Sequence, residues 1–264
     1  MTGANGQVGR LVLRALVDMD APRPVTLSRR SGADIVWTPD TGPCPPMPDC
    51  DAVLALWGVT SGDDAALARN SDLARQARRI ALAAGASRVI HLSSAAVYGA
   101  GLGLRESDPA RPVSAYGRAK LAMERTIAAF PRREGLCHCC LRVANVLGAD
   151  SLTPALASGA PVVLDRFGDG RGPLRSYVSP ASLARVLLAL TRLPASRLPP
   201  LLNVASAPAL RMETLVRAAG REVAWRPAPD GALAAVTLDA SALNALMPAL
   251  PSDGDVVALA GSQP

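Results

Sequence analysis

Among 28 lysines and arginines the chain has a single lysine, Lys120, which lies four residues after Tyr116, one of only three tyrosines. On a helix, residues i and i+4 share a face with Cβ atoms about 5–6 Å apart. Arginine fills every generic cationic role here, so a lone lysine implies work that a planar guanidinium cannot do. A tyrosine with a pKa of about 10 is a poor base at neutral pH, and a neighbouring ammonium favours its phenolate. The pair therefore predicts proton transfer at Tyr116, assisted by Lys120. An exposed helical pair is the plainer alternative, and Glu124, four residues beyond Lys120, feeds it. Upstream, Ile90-His91-Leu92-Ser93-Ser94 reads as the end of a strand. Open α/β sheets bind ligands beyond the carboxyl ends of their strands, which places Ser94 to donate a hydrogen bond to a substrate oxygen gaining charge. Ser93 is expected to support the turn, and His91, between apolar neighbours, to be a core residue.

A second constellation stands at the start. Thr2-Gly3-Ala4-Asn5-Gly6-Gln7-Val8-Gly9 runs straight into a helical pattern. Glycines at this spacing allow a tight turn, close approach of backbone to a pyrophosphate, and close helix packing, while the helix N-terminus offers free N–H groups to phosphate. The spacing is G-x-x-G-x-x-G rather than the commoner G-x-G-x-x-G, and an ordinary Gly-rich turn before a helix is the plainer alternative; as a dinucleotide site it has Gly3, Asn5, Gly6, Gln7, Val8 and Gly9 as its first wall. The next strand ends Leu27-Ser28-Arg29-Arg30. An NAD site usually has an acid here for the ribose hydroxyls, whereas arginine suits a 2′-phosphate; the nearest acid is Asp34. Arg29 and Arg30 thus favour NADP over NAD. The strand that should precede the glycine turn is the central one of such a sheet, yet only Met1 precedes Thr2. We expect a native start several residues upstream, with Met1 at the place of that strand's last apolar residue, and poor solubility or poor cofactor binding for the 264-residue chain.

Bulk composition bounds the alternatives. With 49% hydrophobic residues and a mean hydropathy of +0.20, the chain can bury a large core. The net charge of +6 comes from scattered arginines, without the basic runs and interleaved aromatics that nucleic acid requires. No apolar run is long enough for a membrane span, and the immediate glycine motif leaves no room for a secretory leader, so a cytoplasmic enzyme is expected. An odd count of five cysteines argues against a disulfide framework. Cys137-His138-Cys139-Cys140 lies in a strand pattern whose neighbours face opposite ways and cannot converge on one ion, so no metal is expected.

These residues need a scaffold. Helical spacing at Val8–Met19, 70–84, 115–130 and 183–193 alternates with strand patterns at 25–27, 35–37, 51–57, 88–93, 139–146 and 201–204. The alternation predicts a Rossmann-like, doubly wound parallel sheet covered on both faces, with right-handed crossovers. A dinucleotide-binding domain is expected over 1–148, with 176–205 returning to it. Residues 149–264 form a small substrate-binding region, Pro- and Gly-rich at first and Ala- and Pro-rich at its end, with a short helix at 212–219.

Taken together, these residues resemble the extended short-chain dehydrogenase/reductase family of NAD-dependent epimerases, dehydratases and keto-reductases. The resemblance spans about residues 2–205 in order: Thr2–Gly9, Asp51–Gly58, Asn70, Ser93–Gly99, Tyr116–Lys120, Leu141–Gly148, Gly168–Gly170 with Arg175–Val178, and Leu202–Val204. It implies that Tyr116 is the general acid/base, Lys120 its activator and ribose ligand, and Ser94 the substrate-oxygen donor. It also implies that Leu56, Trp57 and Gly58 line the cofactor, that Asn70 belongs to the cofactor site and supports it, and that Asn145 and Arg175 touch the diphosphate of a nucleotide sugar. A homodimer through the helices at 70–84 and 115–130 is implied as well. Where sugar 4,6-dehydratases carry an Asp-Glu pair this chain has Ala95-Ala96, which makes elimination of water an unexpected reaction. Ser176 and Ser182 stand where acids are usual, and the short chain leaves room only for a small cap. The sequence thus reads as a hydride-transferring epimerase or keto-reductase. A non-catalytic dinucleotide-binding regulator on the same fold is the alternative, though such relatives often lose the tyrosine or lysine that this chain keeps.

Overall fold

The computed structural model describes residues 1–39, 41–131, 135–248 and 254–261. In its first half the elements are α1 (Gln7–Asp18), β1 (Leu27–Ser28), β2 (Ile35–Val36), β3 (Ala52–Ala55), α2 (Asp64–Ala83), β4 (Arg88–Ser94), β5 (Gly101–Leu104), α3 (Ala115–Ala128), β6 (Cys137–Val143) and β7 (Asn145–Val146). Then follow α4 (Thr153–Ala157), β8 (Val162–Arg166), β9 (Leu174–Val178), α5 (Pro180–Arg192), β10 (Leu201–Val204), β11 (Ser206–Arg211), α6 (Met212–Ala218), β12 (Val223–Pro227), β13 (Ala235–Leu238), α7 (Ser241–Leu246) and α8 (Gly254–Gly261).

The alternation expected from sequence is present, with three differences. Helix α2 starts at Asp64, well before Asn70. Asp63 caps it by accepting from the Ala66 N–H at 2.8 Å, and its solvent-facing first turn carries little apolar periodicity to announce it. The strand expected over 139–146 is broken at Ala144: β6 stays in the main sheet, whereas β7 pairs with β9 in another. The segment that looked irregular after Gly148 is well structured. Its short strands are each only partly buried, so neither a continuous apolar run nor clean alternation marks them.

The main sheet is parallel. Its ladders join β3, β4, β6 and β10 in that spatial order, and β1 with β2. Thr2 bridges both Leu27 and Ala55, with its N–H donating to Leu54 O at 2.9 Å, while Leu27 N–H donates to Met1 O at 2.8 Å. Met1 and Thr2 therefore lie on the central line of a Rossmann-like sheet ordered β2-β1-(Met1-Thr2)-β3-β4-β6-β10. Period-2 alternation sends Leu54, Ile90 and Leu141 to one face, where Val12 and Leu16 of α1 and Leu187 and Leu190 of α5 cover them. Val53, Ala55 and Val89 face the other way against Ala77 and Ile80 of α2. The same alternation separates two adjacent buried cysteines: Cys139 joins the α1/α5 core, and Cys140 packs against Met123 and Ile127 of α3. A second sheet, β11-β9-β13-β5 with β7 on β9, is assembled largely from residues after Asn145 and sits over its own core of Leu147, Leu152, Leu164, Tyr177 and Leu215.

Between α3 and the main sheet runs a buried polar seam. Arg142 of β6 holds Glu124 of α3 through Nε at 3.2 and 3.3 Å and Nη2 at 2.8 Å, with both side chains almost fully buried. Ser93 donates to the same carboxylate at 2.5 Å. The guanidinium also lies over the Tyr98 ring, and Tyr98 donates to Asn203 Oδ1 at 2.8 Å. Two sequence expectations change here. Ser93 holds the ion pair rather than the turn, because its alternation points it under α3. Glu124 binds Arg142 rather than Lys120, because it faces the sheet and not solvent.

Removing one partner of a buried pair leaves the other charge desolvated and unpaired. Glu124→Gln is expected to cost roughly 3–5 kcal/mol of stability by urea denaturation. A loss under about 1 kcal/mol, the range of exposed pairs, would show that the seam is solvated.

Candidate active site

One cavity of about 940 Å³ opens along the carboxyl ends of the main-sheet strands, and most of the residues singled out from sequence line it. Gly3 turns the chain at φ +70°, a conformation glycine adopts at little cost, and a Cβ there would stand 2.5 Å from Trp57 N. The turn therefore nests against the Leu56–Gly58 segment as only a glycine can. Gly6 caps α1 without any side-chain hydrogen bond, and the first turn of α1 contains no acid. Its N–H groups and positive helix end are thus open to an anion. Gly3, Asn5, Gly6, Gln7 and Val8 line the cavity; Gly9 does not, lying beneath the Gly3 carbonyl instead. This cradle fits the diphosphate of a dinucleotide.

Leu56, Trp57 and Gly58 form the adjoining wall. Asn70, expected at the cofactor, is 1% exposed and does not reach the cavity. Its amide accepts from Val59 N–H at 3.1 Å and donates to Val59 O at 2.9 Å and Leu67 O at 2.8 Å, so it fixes that wall from behind. Arg29 and Arg30 are exposed at the cavity rim. Asp34 is turned away from it: Oδ2 accepts from Thr26 N–H at 2.8 Å and Thr26 Oγ1 at 2.6 Å, and Oδ1 pairs with Arg23 at 2.9 Å.

Tyr116, Lys120 and Ser94 meet deeper in the same cavity. Ser114 caps α3 by accepting from Gly117 N–H at 3.0 Å, which starts the helix just before Tyr116. Gly117 lets the helix abut the turn after β4, since a Cβ there would stand 2.3 Å from Ala96 O. That contact sets Tyr116 beside Ser94. Burial pushes the Tyr116 phenol above its usual pKa, with a hydrogen bond to Ser94 pulling the other way. The lowering expected from Lys120 is not seen. The Lys120 ammonium lies 5.9 Å from the tyrosine ring centroid and donates to Leu92 O at 2.8 Å. Lys120 is itself 3% exposed, so it is no surface partner. Burial lowers its pKa to about 8, against the opposing pull of Cys140 and Glu124. His91 is a core residue, 2% exposed, its Nε2 3.1 Å from His138 Nδ1.

Toward the second sheet, Asn145 donates to Ser176 O at 3.3 Å, and Arg175 donates to Leu233 O at 2.7 Å, Leu174 O at 2.8 Å and Ala234 O at 3.4 Å. Both side chains line this cavity and an adjoining one of about 280 Å³. Arg10, Arg69, Asp150, Leu233 and Val236 also line the main cavity and were not singled out from sequence. Arg10 alone carried a signal, as the residue after the last motif glycine. Asp150 and Leu233 arrive through loops whose path no periodicity reports, Val236 on the short strand β13, and Arg69 on the early turns of α2 that begin before the expected helix.

With this geometry in place, comparison with known proteins is informative. Residues 1–196 match the model of the NAD dependent epimerase/dehydratase family. The chain belongs to that family. A curated relative, dTDP-6-deoxy-L-talose 4-dehydrogenase (NAD(P)(+)) of Kitasatospora kifunensis, is 29% identical over 199 residues. That match takes in 69% of this chain and 62% of the relative, less than two thirds of the relative's length. MoeE5, solved with UDP-glucuronic acid and NAD, is 24% identical, with a TM-score of 0.79 over 98% of this chain and 95% of that one. DesIV, the dTDP-glucose 4,6-dehydratase of Streptomyces venezuelae, is 20% identical, with a TM-score of 0.74 over 98% and 94%. At such identities the solved structures establish the epimerase/dehydratase fold. A dehydratase among them leaves the expectation against water elimination, drawn from Ala95-Ala96, without support. Among the described residues, no helix of this family member is long and apolar enough to cross a membrane.

The lowered Lys120 pKa has a sign that can be tested. An unfolded lysine keeps its proton up to about 10.5, whereas the folded one loses it near 8. Between those values the unfolded chain binds more protons, so this residue makes stability rise with pH across that window. Urea titrations from pH 7 to 10.5 should show the stability of the parent minus that of Lys120→Met rising with pH. A flat difference would mean that the ammonium is solvated.

Proposed function

We propose that the chain is an NAD(P)-dependent oxidoreductase or epimerase acting at a hydroxyl or keto carbon of a nucleotide sugar or a similar small molecule, with a preference for NADP(H). The observation that carries this reading is that Tyr116, Lys120 and Ser94 share one cavity with the glycine cradle. The bound dinucleotide would supply the hydride donor or acceptor. Tyr116 gives the substrate oxygen its proton in reduction and takes it in oxidation, and Ser94, hydrogen-bonded to Tyr116 in the same cavity, steadies that oxygen as its charge changes. Lys120, held by the Leu92 carbonyl and Met123, keeps a positive charge beneath the phenol and has donors left for ribose hydroxyls. None of these steps calls on Ala95 or Ala96.

Charge supports an anionic occupant. Arg10, Arg29, Arg30, Arg69, Arg175 and Lys120 line the cavity, whereas Asp150 is its only acid among the described residues. The NADP preference rests on Asp34 being committed to Thr26 and Arg23, which leaves no carboxylate for a ribose diol at the Arg29-Arg30 rim. For the substrate, Asn145 and Arg175 stand where the two cavities meet. The nucleotide end of a sugar nucleotide would extend into the smaller one, so the parts of residues 149–264 outside α5 and β10, which belong to the main sheet, act as the substrate-binding region.

The test is oxidation of NADPH and NADH with a panel of keto-sugar nucleotides. Tyr116→Phe should lose about 10²–10⁴-fold in rate while binding cofactor as the parent does. Equal turnover by Tyr116→Phe would remove the assignment of Tyr116, and cofactor binding without turnover by the parent would favour the regulator reading. Arg29→Ala with Arg30→Ala should weaken NADP binding about tenfold or more and NAD binding little. Equal losses for both cofactors would remove the NADP preference.

A further inference from the structure

Arg10 is the first residue of the chain beyond the glycine motif, in the first turns of α1, and its exposed side chain lines the cavity on the same side as Arg29 and Arg30. It is held in place: Nη1 donates to Asn5 O at 2.9 Å. The Asn5 amide in turn donates to Ser31 O at 3.2 Å and Arg30 O at 3.5 Å. A hydrogen-bonded chain therefore runs from the helix, through the glycine turn, into the loop that carries the two rim arginines. By contrast, the Arg29 and Arg30 side chains have no hydrogen-bonded or ionic partner among the described residues. One of Arg10's five N–H donors is used on Asn5, which leaves four for a ligand.

We propose that Arg10 is a specificity-determining residue for the phosphorylated ribose of the cofactor, closing a three-arginine clamp on the 2′-phosphate whose other members are Arg29 and Arg30. The inference rests on the NADP reading above and adds to it the residue that sets the preference. A phosphate dianion has oxygens enough for several guanidinium donors, and charge-assisted contacts of this kind are strong. The clamp needs one member already in place, because a group held on a helix and tied to backbone loses less freedom on binding than a free surface side chain. Arg10 has that support and the other two do not. A 2′-hydroxyl presents no charge to the clamp, so Arg10 discriminates between the cofactors rather than strengthening both.

The experiment needs no substrate. Calorimetric titration of the whole chain with 2′,5′-ADP and with 5′-ADP reads the 2′-phosphate directly, and Arg10→Gln is compared with the parent after its thermal transition is shown to match. The expected result is parent binding that favours 2′,5′-ADP, with Arg10→Gln losing roughly tenfold or more for that ligand and less than about twofold for 5′-ADP. If the parent discriminates and Arg10→Gln discriminates equally well, the Arg10 assignment is overturned while the NADP reading stands. If the variant loses both ligands alike, Arg10 only buttresses the Asn5 turn, and the assignment is again overturned. A parent that binds both ligands equally would overturn the NADP reading and this inference together.

Discussion

The arrangement of the candidate site depends on a buried ion pair that does not itself line the cavity. Glu124 and Arg142 join α3 to β6 in the interior, and Ser93 brings the end of β4 to the same carboxylate. Tyr116 and Lys120 ride on that helix, and Ser94 follows Ser93 by one residue. The pair thus fixes the distance between Tyr116, proposed to move the proton, and Ser94, proposed to steady the oxygen. Tyr98 and Asn203 extend the same seam: the Asn203 side chain donates to the Leu104 and Asp239 carbonyls, tying β10 to the segments that lead into and out of the second sheet. Burying two charges is expensive unless every lone pair is answered, and here most are. Arg142 Nη1 is the exception, a buried donor without a partner.

Sequence showed which residues gather at the candidate site better than it showed what supports them. Tyr116 and Lys120 were legible because a helix period and a one-lysine composition both pointed at them. The glycine cradle was legible because its turn runs straight into a helical pattern and the other motifs follow it in order. Arg142 was invisible for the opposite reason: one arginine among many, inside a strand, gives no sign that its neighbour across the interface is an acid on a helix. Asn70 was recognised as supportive, yet nothing local to it says that both ends of its amide are spent on the backbone of Val59. The second sheet was missed because its strands come from several separate stretches of chain, each too short and too half-buried to show a period.

Electrostatics in the cavity follows one habit. Most of its basic side chains whose partners can be named are pinned by backbone oxygen rather than by acids: Arg10 by Asn5, Lys120 by Leu92, Arg175 by Leu233 and Ala234. A carbonyl orients a cation without cancelling its charge. The cavity therefore keeps a positive field in a fixed geometry, which suits ligands that carry phosphate at more than one point.

The grip of Arg175 on the segment before β13 has a consequence for how this cavity can change over generations. The guanidinium binds the Leu233 and Ala234 carbonyls, which every amino acid presents alike, so the position of that segment does not depend on which side chains it carries. Leu233, which lines the cavity, can be exchanged while the loop stays put. The wall opposite, built on Gly3 and Gly117, tolerates no such exchange, since an added methyl group at either would meet backbone. One side of the cleft is mechanically frozen and the other is a replaceable panel, so new substrates can be tried without disturbing the cofactor.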